Sequence, residues 1–120
     1  MDQKTFNVYC KSLPKTDTVV QWGGAHVWKV GGKIFAICGP WGEAREDKSP
    51  KISFKCSDMS FRMLTEQEGI VPAPYLGRYK WAQIQQADAM DDGDIKIYIE
   101  AAHKLVAAKL TKKIRAELGL

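Results

Sequence analysis

Two histidines, three cysteines and one acidic run are the residues of this sequence whose types could do chemistry. His26 and His103 are isolated, and neither sits in HExxH or has a second histidine at i+4, so no metalloprotease-type zinc site is encoded at motif level. A cysteine nucleophile beside either histidine would have to be assembled by the fold, because no local signature announces one. Cys10, Cys38 and Cys56 are odd in number, widely spaced and each set in an apolar pattern. The expected state is three buried free thiols and no zinc. Asp91, Asp92 and Asp94 invite a calcium reading, but no carboxylate stands at the twelfth position of a loop begun at Asp91. Helix capping is the expected role of these aspartates. The glycine pairs at 23–24 and 31–32 and the lone Gly39 match neither GxGxxG nor a GxxxxGK phosphate loop. The residues therefore predict a non-enzymatic protein with no cofactor and no metal.

What remains is a set of basic residues interleaved with aromatics. Lys29 and Lys33 stand near a hairpin tip, Lys51 and Lys55 share one strand face, and Arg78 and Lys80 bracket Tyr79 beside Trp81. Residues 101–120 add Lys104, Lys109, Lys112, Lys113 and Arg115 against Glu117 alone. Lysine and arginine supply most non-specific affinity for nucleic-acid phosphates, and aromatic rings stack on unpaired bases. Outward lysines on a strand also guard a sheet edge against aggregation, so the pattern keeps both readings open. The formal net charge of +4 is mild; where the charges lie says more about a partner than their sum does. No apolar run approaches the roughly 20 residues of a membrane span. The amino terminus lacks a basic region followed by an apolar block, so no signal peptide is read and a cytoplasmic location is expected.

The elements that must position these residues can be read from periodicity. The 120 residues suit one domain, 1–120, with a single core. Phe6, Tyr9, Cys10 and Leu13 recur at helical spacing and Pro14 stops them, which predicts a helix over 3–13. Thr18-Val19-Val20 predicts a strand over 17–22. In 26–38, HVWKVGGKIFAIC, two β-rich runs flank Gly31-Gly32. Positive φ suits only glycine without strain, so a two-residue hairpin is predicted, with Val30 opposite Lys33 and Trp28 opposite Phe35. Residues 39–51 read as an exposed loop, where Trp41 either tucks onto the core or offers a contact surface. Lys51 to Cys56 alternates cleanly, predicting a half-buried strand with Ile52, Phe54 and Cys56 inward and Lys51, Ser53 and Lys55 outward.

Ser57 or Asp58 can cap a short helix that buries Met59, Phe61, Met63 and Leu64 and stops at Gly69. VPAPYL cannot be helix, because its two prolines force the residues before them to be extended, and 79–85 reads as a strand carrying Trp81 and Ile84. From Asp91 onward Ile95, Ile99, Ala102, Leu105 and Val106 form the longest apolar stripe, supported by a Glu100–Lys104 pair. Thr111 is placed to cap a last helix containing Ile114 and Leu118. Consecutive strands and tight connections make the sheet largely antiparallel, and helices on one face give a two-layer α+β domain.

Several pieces in this order carry a resemblance. They are Tyr9-Cys10-Lys11-Ser12-Leu13-Pro14, then Trp28 to Ala36, Phe54-Lys55-Cys56, Pro72-Ala73-Pro74-Tyr75-Leu76 running into Lys80-Trp81, and Leu105 to Leu110. Together the sequence resembles the MmcQ/YjbR family of small bacterial proteins over nearly its whole length. It departs from that pattern at Ala102-His103, where members often carry Ser-Tyr. The resemblance implies a curved antiparallel sheet with helices on one side, of the CyaY-like or secretion-chaperone-like kind. It also implies DNA binding through a double-wing motif, one wing being the Lys29–Lys33 hairpin and the second lying near Arg78 to Trp81. Relatives that bind iron use an acidic first helix; here that helix has only Asp2 at its start, so iron is disfavoured. The expected function is DNA binding by Lys29, Lys33, Lys55, Arg78 and Lys80 on phosphates, with Trp81 stacking. Two alternatives stand beside it: a module that holds a protein or peptide on the sheet face or through Trp41 and Trp22, and a small-molecule binder with a Trp- and Tyr-lined pocket.

Overall fold

Each helix of the computed structural model, which describes residues 1–39 and 50–120, begins at a polar residue that satisfies an orphan backbone N–H. Asp2 accepts from Thr5 N at 2.7 Å to start α1 (Gln3–Ser12). That hydrogen bond also holds the exposed Asp2 carboxyl below its ordinary pKa. Ser57, rather than Asp58, accepts from Ser60 N before α2 (Asp58–Thr65). Asp91 accepts from Asp94 N at 2.8 Å before α3 (Asp92–Ala108), and Thr111 from Ile114 N at 3.2 Å before α4 (Lys112–Leu118). The expected Glu100–Lys104 pair forms at 3.1 Å.

The strands are β1 (Thr16–Gln21), β2 (Ala25–Val30), β3 (Lys33–Gly39), β4 (Lys51–Lys55), β5 (Ile70–Pro72) and β6 (Trp81–Ile84). They form one antiparallel sheet in the order β1-β2-β3-β4-β6-β5. All the helices contribute to one core on one face of this curved sheet. Phe6 and Cys10 of α1, Leu64 of α2, Ile95, Ile99 and Ala102 of α3, and Leu110 before α4 pack with Trp28, Val30, Phe35, Ile52, Phe54 and Ile84. The architecture is the predicted two-layer α+β domain, and the three cysteines are buried free thiols. Among the described residues no helix is long and apolar enough to cross a membrane. The loop reading at 40–49, with Trp41, lies outside the described residues.

Four expectations are corrected. In the β2–β3 hairpin Val30 does lie opposite Lys33, but Trp28 faces Ala36, because the register shifts between Trp28 and Lys29. A bulge sets two residues against one, so Phe35 and Ala36 both reach the helix-side core instead of alternating. Secondly, β4 is not half-buried: Lys51 and Ser53 are 3% and 2% exposed. Its polar positions face a second covered layer. There Gln83 donates to Ser53 Oγ at 3.1 Å, Gln85 donates to Gln83 Oε1 at 3.2 Å, and Lys51 donates to the Gln85 carbonyl at 2.9 Å. Ala73 and Leu76, from the β5–β6 connection, pack on Ala25, Val27, Ile37 and Trp81 of the same face. The sheet face is thus buried at β3, β4 and β6.

The third correction concerns α2, which leaves Met59 and Met63 exposed and buries Leu64 with Phe61 at its margin. It ends at Thr65; Gly69 instead adopts φ +86° at a site where a Cβ would come within 2.9 Å of the Ala89 side chain. Lastly, the strand expected from Tyr79 starts only at Trp81. Gly77–Tyr79 is a 3₁₀ turn and Lys80 is left-handed at φ +65°, which breaks the extended run.

Candidate nucleic-acid interface

The hairpin tip sets the geometry of the basic residues. Gly31 and Gly32, at φ +58° and +79°, make the two-residue turn with both residues left-handed. A Cβ on Gly31 would lie 2.5 Å from Leu110 Cδ1 and 3.2 Å from Ile114 Cγ2, so the tip rests directly on the corner between α3 and α4. That contact carries the start of β3 to the end of the sheet where α3 finishes. Lys33 is exposed there, on the same helix-side face as its partner Val30.

Lys55, the last residue of β4, pairs with Trp81 at the same sheet end. Its ammonium donates to the Tyr79 carbonyl. Burial lowers the proton affinity of Lys55, and the nearby charges of Lys109 and Lys80 lower it further, with Asp58 opposing them. Three lysines from β4, the 3₁₀ turn and the end of α3 therefore share one region. Lys80 is half-buried, its ammonium 5.2 Å from the centre of the Phe61 ring. Arg78 is exposed, with its guanidinium 5.1 Å from the Tyr79 ring centre. Lys109, Lys112 and Lys113 are exposed. Between described residues ion pairs form only from the Met1 amino group to Asp92 and from Lys104 to Glu100. None of the lysines at this sheet end is in either.

The predicted residues divide accordingly. Lys55 and Lys80 come together, Lys33 lies at the same end of the sheet, and Arg78 is two residues from Lys80. Lys29 stands in register with Asp17 on the face opposite Trp28 and Val30, the face that Lys55 and Trp81 also share, two strands away from Lys55. Trp81 cannot stack on a base, because its ring is 6% exposed and packs with Val27, Ile37 and Ala73. Lys109 was legible only as part of the basic carboxy-terminal stretch. The aromatics that do reach the surface are others: Tyr75 is 96% exposed, Tyr79 54% and Trp22 52%. Trp22, Pro74, Tyr75 and Leu76 line an apolar groove of about 370 Å³.

A second groove, of about 460 Å³, runs between α1 and β1 and is lined by Asn7, Lys11, Thr18, His26 and Trp28 among others. Trp28 Nε1 donates to Asn7 Oδ1 at 2.9 Å. An indole nitrogen can only donate, so the Asn7 amide orientation follows, and Asn7 Nδ2 donates to His26 Nδ1 at 3.0 Å. His103, buried on α3, contacts the Pro14 carbonyl through Nε2 at 2.8 Å and meets Phe35 edge-on at 5.3 Å. Both histidines are thus tied to structural partners. Among the described residues no three His, Cys, Asp or Glu side chains converge as metal ligands would.

Comparison with known proteins agrees with the fold. A crystal structure of the Deinococcus radiodurans protein DR2400, with family-model domain DUF419, is similar to the chain with a TM-score of 0.83 at 20% sequence identity. The match covers 99% of this chain and 88% of that one. At such identity the likeness is one of fold. No curated protein matches the sequence. The family model described as YjbR matches residues 11–105, from the end of α1 to the last turn of α3. The chain therefore belongs to the YjbR family.

Proposed function

We propose that the protein is a non-catalytic nucleic-acid-binding domain that grips phosphates with the lysines at the hairpin end of its sheet. Lys33, Lys55, Lys80 and Lys109 form the grip, and Lys112 and Lys113 extend it along α4. The observation that supports this best is the convergence of Lys55, Lys80 and Lys109, three like charges from separate parts of the chain that have Asp58 nearby but, among the described residues, no carboxylate in salt-bridge contact. Like charges held together raise the local potential and favour a polyanion over a neutral partner.

Fluorescence anisotropy with a labelled 20-mer at several salt concentrations tests it. Four neutralised phosphates give a slope of log K against log salt of about −3.6, a loss of roughly 150-fold between 50 and 200 mM. Replacing Lys55, Lys80 or Lys109 by alanine should each make the slope shallower by about 0.9. Absence of binding at 50 mM salt, or a slope indifferent to the three lysines, overturns the proposal.

A further inference from the structure

We infer that the groove formed by Trp22, Pro74, Tyr75 and Leu76 takes the unpaired bases of a single-stranded nucleic acid whose phosphates lie along Arg78, Lys80 and Lys55. This rests on the function proposed above and narrows its ligand from nucleic acid in general to single strands. Base stacking onto aromatic side chains requires an exposed ring, and duplex DNA keeps its bases stacked on one another. The surface-accessible aromatics of this protein meet that requirement where the buried Trp81 does not: Trp22 is 52% exposed and Tyr75 is 96% exposed, and both line the same groove.

The groove also shares one connection of the chain with the basic region. Tyr75 and Lys80 belong to one connection, folded tightly by the bonds from Leu76 N to the Ala73 carbonyl, from Tyr79 N to the Leu76 carbonyl and from Lys80 N to the Gly77 carbonyl. Between them Arg78 lies over the half-exposed Tyr79 ring, a cation and a π-face presented together. Aromatic surface for bases is thus followed within a few residues by cations for phosphates, the alternation that a single strand displays along its own length. The backbone at both rings adds an independent sign. Trp22 and Tyr75 stand at φ +52° and +65°, a left-handed conformation costly for side chains of their size. Strain of this kind persists where the surrounding structure holds it in place, and it clusters at ligand sites.

The test compares oligo(dT) of 12 residues with a duplex of the same length, by anisotropy, on the full chain. Trp22→Gly and Tyr75→Gly remove each ring while leaving a residue that suits left-handed backbone, so both variants retain the fold, which circular dichroism checks. Each should weaken oligo(dT) binding by roughly 5- to 150-fold, the range for losing one stacked base, without altering the salt slope. Neither should affect the duplex, and Tyr75→Phe should restore binding. Oligo(dT) binding that survives both glycine variants with its salt dependence intact overturns this inference and leaves the phosphate grip standing. Failure to bind either nucleic acid at low salt overturns both.

Discussion

Replacing Gly31 by alanine is the sharpest test of how the basic end of the sheet is assembled. The added Cβ would lie 2.5 and 2.9 Å from the two terminal methyls of Leu110, a residue only 7% exposed, and 3.2 Å from Ile114. Leu110 cannot simply swing into solvent, so the extra methyl must displace packed side chains, at about 1–3 kcal/mol for overpacking. A left-handed alanine adds about 1–2 kcal/mol. Gly32→Ala is the internal control: at φ +79° it bears the same backbone cost, but its Cβ meets nothing within 4 Å. Urea denaturation followed by tryptophan fluorescence should therefore show Gly31→Ala less stable than Gly32→Ala by about 1–3 kcal/mol. With a urea m-value of about 2 kcal/mol/M, that is a difference in midpoint of about 1 M. Equal midpoints for the two variants would refute the claim that the tip is seated on the α3–α4 corner, and with it the reason Lys33 and Lys109 share one end of the molecule.

Three further outcomes are expected. Asn7→Ala removes the acceptor of a buried indole N–H and should cost about 1–3 kcal/mol in the same urea assay, whereas an exposed neighbour such as Val8→Ala should cost well under 1. Burial pushes the thiol of Cys38 up to about 12 and that of Cys56 up to about 11, from an ordinary value near 9, and raises Cys10 as well. The native thiols should resist a thiol reagent at pH 8 and react only on unfolding. Because the folded protein then holds protons that the unfolded chain has released, stability should fall as pH rises from about 9 towards 11. The limit is about 1.4 kcal/mol per pH unit for each thiol, and Cys38→Ala should remove its share of that slope. Thr111→Ala deletes the cap of α4 and should cost about 1 kcal/mol, read as faster amide exchange confined to 112–115.

Local chemistry was legible in the sequence and remote cover was not. The caps at Ser57, Asp91 and Thr111 and the Gly31-Gly32 turn depend on residues a few positions apart, so their spacing was enough to place them. The alternation of Lys51 to Cys56 was read correctly as a strand, yet period two says only that the faces differ, not that one meets water. What covers Lys51 and Ser53 includes Gln83 and Gln85, thirty and more residues away. The bulge opposite Trp28 carries no glycine to announce it, so Phe35 was expected to alternate with Ala36. At the proposed site, lysines at strand ends were recognisable because a strand end is exposed wherever its sheet lies. The choice among tryptophans was not: Trp22 and Trp81 look alike in sequence, and only the path of the β5–β6 connection buries one and lines a groove beside the other.

The strand order gives the molecule two unlike borders. β5 is three residues long and ends in Pro72, which has no amide hydrogen to offer a newcomer. β1 is twice as long and free of proline, and half of its main-chain groups point away from β2, with Val19 and Val20 exposed alongside. Any extra strand, whether from a second copy or during concentration of the protein, will add at β1. A lysine at position 19 would therefore protect solutions of this protein from self-association without touching its core.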